Sequence, residues 1–233
     1  MPEAVGIADF AKLSLVDWPG KVVSSVFFRG CNFRCPWCHN PDLVDPNRYT
    51  DVSPAEDVLA YLVRRRDVLD GVVVTGGEAV LTPGLPAFLE AISRIGLPVQ
   101  LDTNGSSPDK LFRLLDSGLV HSISVDYKVP FRLYPKVVGG LSPDAVRRTI
   151  VSVLERGCGE VRTTIVPNLY TPELLSEMAS AIPGLTRGLW RLQPFRPGTC
   201  LDATYNDLAP TDPEHLAWLK RELEFRGETL LKF

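Results

Sequence analysis

The sequence predicts an α/β fold built around a parallel β-sheet. Six short runs rich in β-branched and other apolar residues alternate with longer segments of helical periodicity. The runs are almost continuously apolar, which is typical of strands buried on both faces of a parallel sheet. The 233 residues, 45% hydrophobic and 23% charged, have the composition of an ordinary globular protein. We therefore expect a single domain over residues 1–233.

The predicted strands share short length and an apolar, β-branched composition. They lie at 21–28, 71–76, 98–102, 121–126, 160–166 and 189–195. Six strand–helix units in a row favour a parallel sheet with right-handed crossovers. No G-x-G-x-x-G follows the first strand, which disfavours an open dinucleotide-binding sheet. Six units are too few for a complete eight-stranded barrel, so a partial (β/α)6 barrel is the simplest remaining architecture.

Helix candidates separate these strands and carry recognisable start and stop signals. They lie at 53–66, 84–96, 107–118, 142–157, 171–182 and 212–227. Ser53 and Thr171 each precede a proline, as expected of N-cap residues. Gly157 is suited to end its helix in a left-handed conformation. The elements divide the chain into an N-terminal extension (1–20), a βα core (21–199) and a C-terminal helix and tail (200–233).

Charge and hydropathy exclude several classes of function. The net charge of −3 and pI of about 5.7 suit neither a nucleic-acid partner nor an anionic membrane. No stretch approaches the roughly 18 apolar residues of a membrane span. The first 20 residues have no basic segment followed by an apolar core, so we expect no signal peptide and a cytoplasmic location. An odd count of five cysteines disfavours a disulfide framework.

Three of the cysteines lie close together in "RGCNFRCPWCHN", residues 29–40. Cys31, Cys35 and Cys38 are separated by gaps of three and two residues. Thiolates at such spacing hold either zinc or an iron–sulfur cluster. Three thiolates in one loop would leave one iron of a four-iron cluster without a protein ligand, and an exogenous ligand can occupy that position.

A structural zinc site would need a fourth protein ligand. His39 is a poor one, because it is adjacent to Cys38 and neighbouring side chains rarely point at the same ion. Cys158 and Cys200 are distant, with no motif around them that would complete a zinc module. The spacing therefore favours the iron–sulfur cluster and leaves zinc as the alternative.

Polar and glycine residues collect after the carboxyl ends of the other predicted strands. These segments are Gly76-Gly77-Glu78, "DTNG" (102–105), "SVDYK" (124–128) and "QPFRPG" (193–198). The strand predicted at 160–166 carries a charged residue of its own, Arg162. In α/β folds the functional site lies at the carboxyl ends of the strands. We therefore expect these segments to share the site with the cysteine loop.

Together these motifs resemble a known family. Cys31-x3-Cys35-x2-Cys38, with Trp37 before the last cysteine and Gly-Gly-Glu after the second strand, resembles the signature of radical S-adenosylmethionine (SAM) enzymes. Over nearly the whole chain, the order and spacing of the motifs resemble the activating enzymes of glycyl radical enzymes. The segments that carry this likeness are "VDWPG" (16–20), "GCNFRCPWCHNPD" (30–42), "GGEAVL" (76–81), "DTNG", "DYK" and "VRTTIVP" (161–167). The overall pattern is most similar to activating proteins of anaerobic ribonucleoside-triphosphate reductase.

The resemblance implies a mechanism and a set of partners. A [4Fe–4S] cluster on Cys31, Cys35 and Cys38 binds SAM at its open iron and passes it one electron. SAM then splits to methionine and a 5′-deoxyadenosyl radical, which takes a hydrogen atom from a glycine of the partner. The partner implied is a glycyl radical enzyme, and the electron donor implied is a flavodoxin or a ferredoxin.

The resemblance also assigns roles to individual residues, each of which has an ordinary structural explanation when taken alone. The implied SAM contacts are Gly76, Gly77 and Glu78 at the methionine amino group, Trp37 and His39 near the adenine, and Lys128 and Arg162 at the carboxylate or ribose. Arg196 falls where pyruvate formate-lyase activase has a SAM-contacting histidine.

Three further residues match positions that hold a monovalent cation in pyruvate formate-lyase activase. These are Asp102, Thr103 and Asp126, with the carbonyl of Ser124, and hard oxygen ligands suit such a cation. Asp102 could instead cap a turn. Asp17 lies in the segment that the resemblance turns toward the partner's glycine loop, and Trp18 follows it where the pyruvate formate-lyase type has glycine.

Three alternatives stay open at the level of sequence. The chain could be a pyruvate formate-lyase type of activase, or a radical SAM enzyme acting on a small molecule or nucleotide. It could also be a zinc-binding adaptor without catalytic activity. We expect Cys158, Cys200, His121 and His215 to be structural, and Trp190 to lie in the core.

Overall fold

The computed structural model describes residues 6–139, 142–185 and 190–225, and its strands form a seven-stranded sheet in chain order. The strands are β1 (Ile7–Ser14), β2 (Val23–Phe28), β3 (Gly71–Gly76), β4 (Val99–Thr103), β5 (Ser122–Asp126), β6 (Gly159–Ile165) and β7 (Trp190–Pro194). β1 pairs antiparallel with β2, whereas the pairs β2–β3, β3–β4 and β6–β7 are parallel.

The six predicted strands correspond to β2–β7, with no end displaced by more than two residues among those described; residue 189 lies outside the described residues. β1 was not predicted. Most of its residues are half-buried or exposed, so its sequence "IADFAKLS" lacks the apolar run that marked the others. Its strand conformation is supplied by pairing with β2 rather than by its own composition.

The helices likewise follow the predicted order. They are α1 (Pro41–Val44), α2 (Ala55–Arg65), α3 (Leu85–Ile95), α4 (Pro108–Asp116), α5 (Tyr134–Val137), α6 (Asp144–Arg156), α7 (Pro172–Ser180) and α8 (Pro213–Phe225). The one-turn helices α1 and α5 were not predicted, because four residues are too few to show a helical period.

The helix signals are confirmed at two positions and wrong at a third. The Thr171 hydroxyl accepts a hydrogen bond from the Leu174 N–H at 3.3 Å, as an N-cap should. Gly157 ends α6 with φ of +59°. Ser53 is not the N-cap of α2: Pro54 holds that position, and its side chain makes no capping bond.

The chain divides into two compact units, which interleave along the sequence. The first comprises residues 1–32, 42–103 and 107–123, and the second comprises residues 33–41, 104–106 and 124–233. The cysteine loop therefore starts in the first unit and continues in the second. The expectation of a single domain stays a prediction.

Each unit has an apolar core of its own. In the first unit α2 and α3 pack together, and the inward side chains of β2, β3 and β4, such as Val26, Val74 and Leu101, are fully buried. In the second unit α8 packs on α7 and β7, and Trp190 is fully buried as expected. Burial on this scale is the dominant favourable contribution to folding.

Within the described ranges, no helix combines the length and the apolar composition needed to cross a bilayer.

Candidate active site

In the first unit, two glycines bring the end of β3 against the start of the cysteine loop. The N–H of Gly77 donates to the Phe28 carbonyl at 2.8 Å, and the N–H of Glu78 donates to the Gly30 carbonyl at 2.7 Å. A Cβ on Gly76 would lie 2.3 Å from the Phe28 oxygen, and one on Gly77 would lie 2.2 Å from the Gly30 oxygen. No side chain fits there, so the glycines hold the backbone that leads into Cys31.

Glu78 is fully buried behind this contact. Its carboxylate accepts a hydrogen bond from the Thr103 hydroxyl at 2.7 Å. A carboxylate removed from water requires such partners. Thr103, predicted as a cation ligand, is thus engaged as a donor to Glu78.

Asp17 is held in place within the first unit by two polar side chains of the sheet. The Ser25 hydroxyl donates to the Asp17 carboxylate. The Gln100 amide donates to the Asp17 carbonyl at 3.0 Å and to the Asp102 carboxylate at 3.2 Å. Ser25 and Gln100 were not singled out from the sequence, although polar residues inside apolar strands are a usable signal.

In the second unit, the rest of the cysteine loop is fixed by main-chain hydrogen bonds. The Cys38 N–H donates to the Cys35 carbonyl at 3.0 Å, which closes a turn between the two thiols. The Leu201 N–H donates to the Cys38 carbonyl at 3.0 Å, and the Asp202 N–H donates to the Pro36 carbonyl at 2.9 Å. Cys200, expected to be structural, is buried beside this contact.

Trp37 and His39 occupy different environments in this loop. Trp37 is buried, 6% exposed, with its ring 6.0 Å from that of Tyr205. His39 is exposed and stacks on Phe195, with the ring centroids 5.1 Å apart. Both rings thus lie against aromatic partners, and their predicted place beside the adenine stays a prediction.

A charged triad joins the last residue of β5 to Lys128 and to Arg162 of β6 in the second unit. The ammonium of Lys128 is 3.1 Å from one oxygen of Asp126, and the Arg162 guanidinium is 3.2 Å from the other. The three side chains are 14–33% exposed. Two cations share one carboxylate, so the triad has a net charge of +1.

The triad shifts the pKa values of its members. Burial by itself raises the pKa of Asp126, but the charges of Lys128 and Arg162 outweigh it and hold this pKa below its usual value. Burial lowers the pKa of Lys128, but the Asp126 carboxylate and then Cys35 and Cys38 raise it well above its usual value. Lys128 is therefore protonated at neutral pH.

The chemistry of the donor set fits an iron–sulfur cluster. None of Cys31, Cys35 and Cys38 is in a disulfide, and their loop is lined by backbone where a Cβ on Gly77 would intrude. Among the described residues, no three or more His, Cys, Asp or Glu side chains gather closely enough to share one metal ion. Thiolates of a [4Fe–4S] cluster each bind a different iron, so they need not meet at one point.

Arg196 and Asp126, two of the predicted binding residues, lie in different surroundings. Arg196 is exposed on the segment after β7. Both carboxylate oxygens of Asp126 face cationic side chains. The monovalent cation on Asp102, Thr103 and Asp126 therefore stays a prediction.

A family model described as the radical SAM superfamily matches residues 25–181, which include the cysteine loop and β2 to α7.

Three curated proteins illustrate the range of relatives. A protein of Methanocaldococcus jannaschii, provisionally described as a glycyl-radical enzyme activating enzyme, is 27% identical over 87% of this chain and 84% of its own. The 7-carboxy-7-deazaguanine synthase of Methanopyrus kandleri is 30% identical over 72% of this chain and 70% of its own. The pyruvate formate-lyase-activating enzyme of Clostridium pasteurianum is 36% identical over 42% of this chain and 43% of its own.

Solved structures support the fold. Streptococcus suis SuiB bound to S-adenosylmethionine has a TM-score of 0.64 and 17% identity, over 87% of this chain and 47% of SuiB. This chain thus spans about half the length of SuiB. The structure of native anSMEcpe with bound AdoMet has a TM-score of 0.56 and 17% identity, over 87% of this chain and 61% of its own. The α/β fold with a partial barrel, as predicted, is thereby confirmed.

Proposed function

The chain belongs to the radical SAM superfamily, and from that membership we propose that it is an activating enzyme that installs a glycyl radical on a partner protein. Its cofactors are a [4Fe–4S] cluster and SAM. The observation that carries the proposal is the extent of the Methanocaldococcus jannaschii relative, which aligns with 87% of the chain. The shorter match to pyruvate formate-lyase-activating enzyme supports the same class.

In this proposal Cys31, Cys35 and Cys38 would hold the cluster, to which SAM would bind. When bound, the cofactors would supply radical chemistry: one electron from the external donor would cleave SAM to methionine and a 5′-deoxyadenosyl radical, which would take the α-hydrogen of a glycine and leave as 5′-deoxyadenosine. The protein would hold the cysteine loop, orient SAM and exclude water from the site.

The residues around the loop divide this work. Gly76 and Gly77 keep backbone, rather than side chains, against the first cysteine. Glu78 is a buried carboxylate beside them, held by the Thr103 hydroxyl, and this segment would meet the SAM amino group. Lys128 and Arg162 carry positive charges that would pair with the SAM carboxylate or hydrogen-bond to its ribose. Trp37 and His39 have aromatic rings that would lie near the adenine.

The partner we propose is an anaerobic ribonucleotide reductase. Asp17 would face its glycine loop, held by Ser25 and Gln100. We further propose a flavodoxin or ferredoxin as the electron donor, a monovalent cation near Asp102, and a cytoplasmic location. A pyruvate formate-lyase type of partner is the nearest variant of this proposal.

A second candidate is a radical SAM enzyme that acts on a small molecule or nucleotide. The match to 7-carboxy-7-deazaguanine synthase, at 30% identity over 187 residues, favours it. That match covers less of the chain than the match to the activating-enzyme relative, so we place it second.

Metal analysis tests the cluster. Purified and reconstituted without oxygen, the chain should hold about four irons and acid-labile sulfide. The Cys35→Ser variant should lose most of this iron and should no longer cleave SAM. The control is Cys158→Ser, at a cysteine just after α6, which should keep both the iron and the cleavage of SAM. One zinc ion per chain without acid-labile sulfide would instead support a zinc-binding adaptor without catalytic activity.

Electron paramagnetic resonance tests the activase. The reduced protein and SAM, mixed with an anaerobic ribonucleotide reductase, should produce a glycyl radical doublet on the reductase. Cleavage of SAM with no doublet on this or on a pyruvate formate-lyase would reject the activase and favour the small-molecule enzyme.

A further inference from the structure

Two buried tyrosine hydroxyls hold the main chain on either side of Lys128. The Lys128 N–H donates to the Tyr134 hydroxyl at 3.0 Å, and the Tyr170 hydroxyl donates to the Lys128 carbonyl. Tyr134 is fully buried and Tyr170 is 4% exposed. β5 ends at Asp126, so these hydroxyls satisfy main-chain groups that lie beyond the strand.

The side chain of Lys128 is fixed as well. Its ammonium lies 3.1 Å from the Asp126 carboxylate, which Arg162 holds from the other side at 3.2 Å. The Lys128 side chain is only 19% exposed. Held at both its main chain and its head group, Lys128 is a positive charge with little freedom to move.

Tyr134 also connects this charge to the cysteine loop. Its ring meets that of Phe33 edge-on, with the centroids 6.2 Å apart. One turn further on, the Val138 carbonyl accepts a hydrogen bond from the Arg34 N–H at 2.8 Å. Phe33 and Arg34 directly precede Cys35, so the α5 segment anchors both Lys128 and the entry to this cysteine.

We propose that Tyr134 and Tyr170 are positioning residues that fix Lys128 as a positive charge, and that this charge, held by the same α5 segment that anchors the entry to Cys35, favours reduction of the cluster. The inference rests on the cluster of the proposed function and not on the glycyl partner. Reduction adds one electron, from a flavodoxin- or ferredoxin-type donor, to a centre that three thiolates already make negative. A fixed cation nearby stabilises the reduced form more than the oxidised form.

The direct test is the midpoint potential of the cluster, measured by a dithionite titration followed by electron paramagnetic resonance. SAM and partner are omitted, so that loss of a SAM contact does not enter. Lys128→Met should make reduction at least tenfold less favourable, which is a shift of about 59 mV to more negative potential. Lys128→Arg keeps the charge and should stay close to the unmodified chain.

The tyrosines are tested by removing only their hydroxyls. Tyr170→Phe and Tyr134→Phe should shift the potential in the same direction by a smaller amount, because Lys128 keeps its charge but loses its anchor. Tyr61→Phe is the matched control. Its hydroxyl also donates to a main-chain carbonyl, that of Lys12 at 3.2 Å, but in the first unit, and the potential should not change.

The results separate the parts of the inference. An unchanged potential in Lys128→Met, with the cluster intact, overturns it. A shift in Lys128→Met without any shift in the tyrosine variants overturns the positioning role alone. If Lys128→Met fails to hold a cluster, the inference is tested by the potential of Tyr170→Phe, and an unchanged potential in that variant overturns it. The glycyl radical assay can fail while these shifts appear, so the two proposals are independently testable.

Discussion

At the scale of the residue, Gly77 shows why the motif after β3 needs glycine. Its φ is ordinary, so the requirement comes from contact alone: a Cβ would lie 2.2 Å from the Gly30 oxygen and 3.3 Å from the Cys31 Cβ. The two nearest atoms, the carbonyl oxygen and carbon of Gly30, are backbone and have little room to shift. The family motif and the packing requirement therefore coincide at this position.

We expect Gly77→Ala to destabilise the chain by about 1–3 kcal/mol, the usual cost of overpacking. The free energy of unfolding is measured by urea titration monitored with circular dichroism. Gly198→Ala is the control, because a Cβ there meets nothing within 4 Å, and it should change stability by less than about 0.5 kcal/mol. Equal stability of the two variants would contradict the close approach.

Asp126 gives the chain a predictable dependence on pH. Because its pKa is lowered in the folded chain, its contribution to stability is present above the unfolded pKa of about 3.9 and is lost as the pH falls through the folded value. The free energy difference between the unmodified chain and Asp126→Asn should therefore be largest at neutral pH and shrink below about pH 4.

Urea unfolding of the iron-free chain between pH 3 and 7 tests this dependence. Asp51→Asn, at an exposed position, is the matched control for replacing a carboxylate by an amide. A gap between the Asp126→Asn and unmodified chains that stays constant down to pH 3 would contradict the role of the triad.

At the scale of the element, helix starts that look alike in sequence differ in structure. α4 and α7 both begin with proline after a hydroxyl residue. The Thr171 side chain caps α7, whereas the Ser107 side chain makes no capping bond at the start of α4. Ser107 has φ of −130° and ψ of 62°, outside the extended conformation that Thr171 adopts.

Thr171→Ala should thus cost about 1 kcal/mol of stability. For a chain of this size that corresponds to roughly 2–4 °C in the unfolding temperature. Ser107→Ala should cost clearly less, since no capping bond is lost. Calorimetry of both variants measures the difference, and equal shifts would show that the hydroxyl of Thr171 does not act as the cap.

At the scale of the whole molecule, the strands and the cofactor loop depend on different interactions. The strands are fixed by aliphatic burial within each unit, through residues such as Val74 and Ile123. The cysteine loop is fixed mainly by backbone hydrogen bonds, such as Leu201 N–H to Cys38 carbonyl and Glu78 N–H to Gly30 carbonyl. Loss of the cluster removes nothing from the apolar cores.

Removal of iron with a chelator should therefore leave the far-ultraviolet circular dichroism almost unchanged. Hydrogen exchange should rise in residues 29–42 and 198–206 and stay slow in β2 and β3. Exchange that becomes fast throughout the sheet would show instead that the cluster is needed for folding.

The sequence by itself determined the order of strands β2 to β7, the α/β class and the cysteine triplet. These depend on local signals: apolar runs, helix caps and the spacing of thiols along a few residues. The family followed from the same local motifs, because a cluster-binding loop has to keep its ligand spacing wherever it occurs.

Only the tertiary structure decided how distant residues meet. It paired β1 with β2, placed Thr103 against Glu78, and set Tyr134 and Tyr170 on the main chain of Lys128. No local pattern encodes these contacts, because a tyrosine that packs and a tyrosine that holds a lysine have the same sequence signature. The two kinds of tyrosine differ only in their tertiary contacts. Tyr134 and Tyr170 hold Lys128 because the fold places its main-chain groups beyond the end of β5, within reach of both hydroxyls.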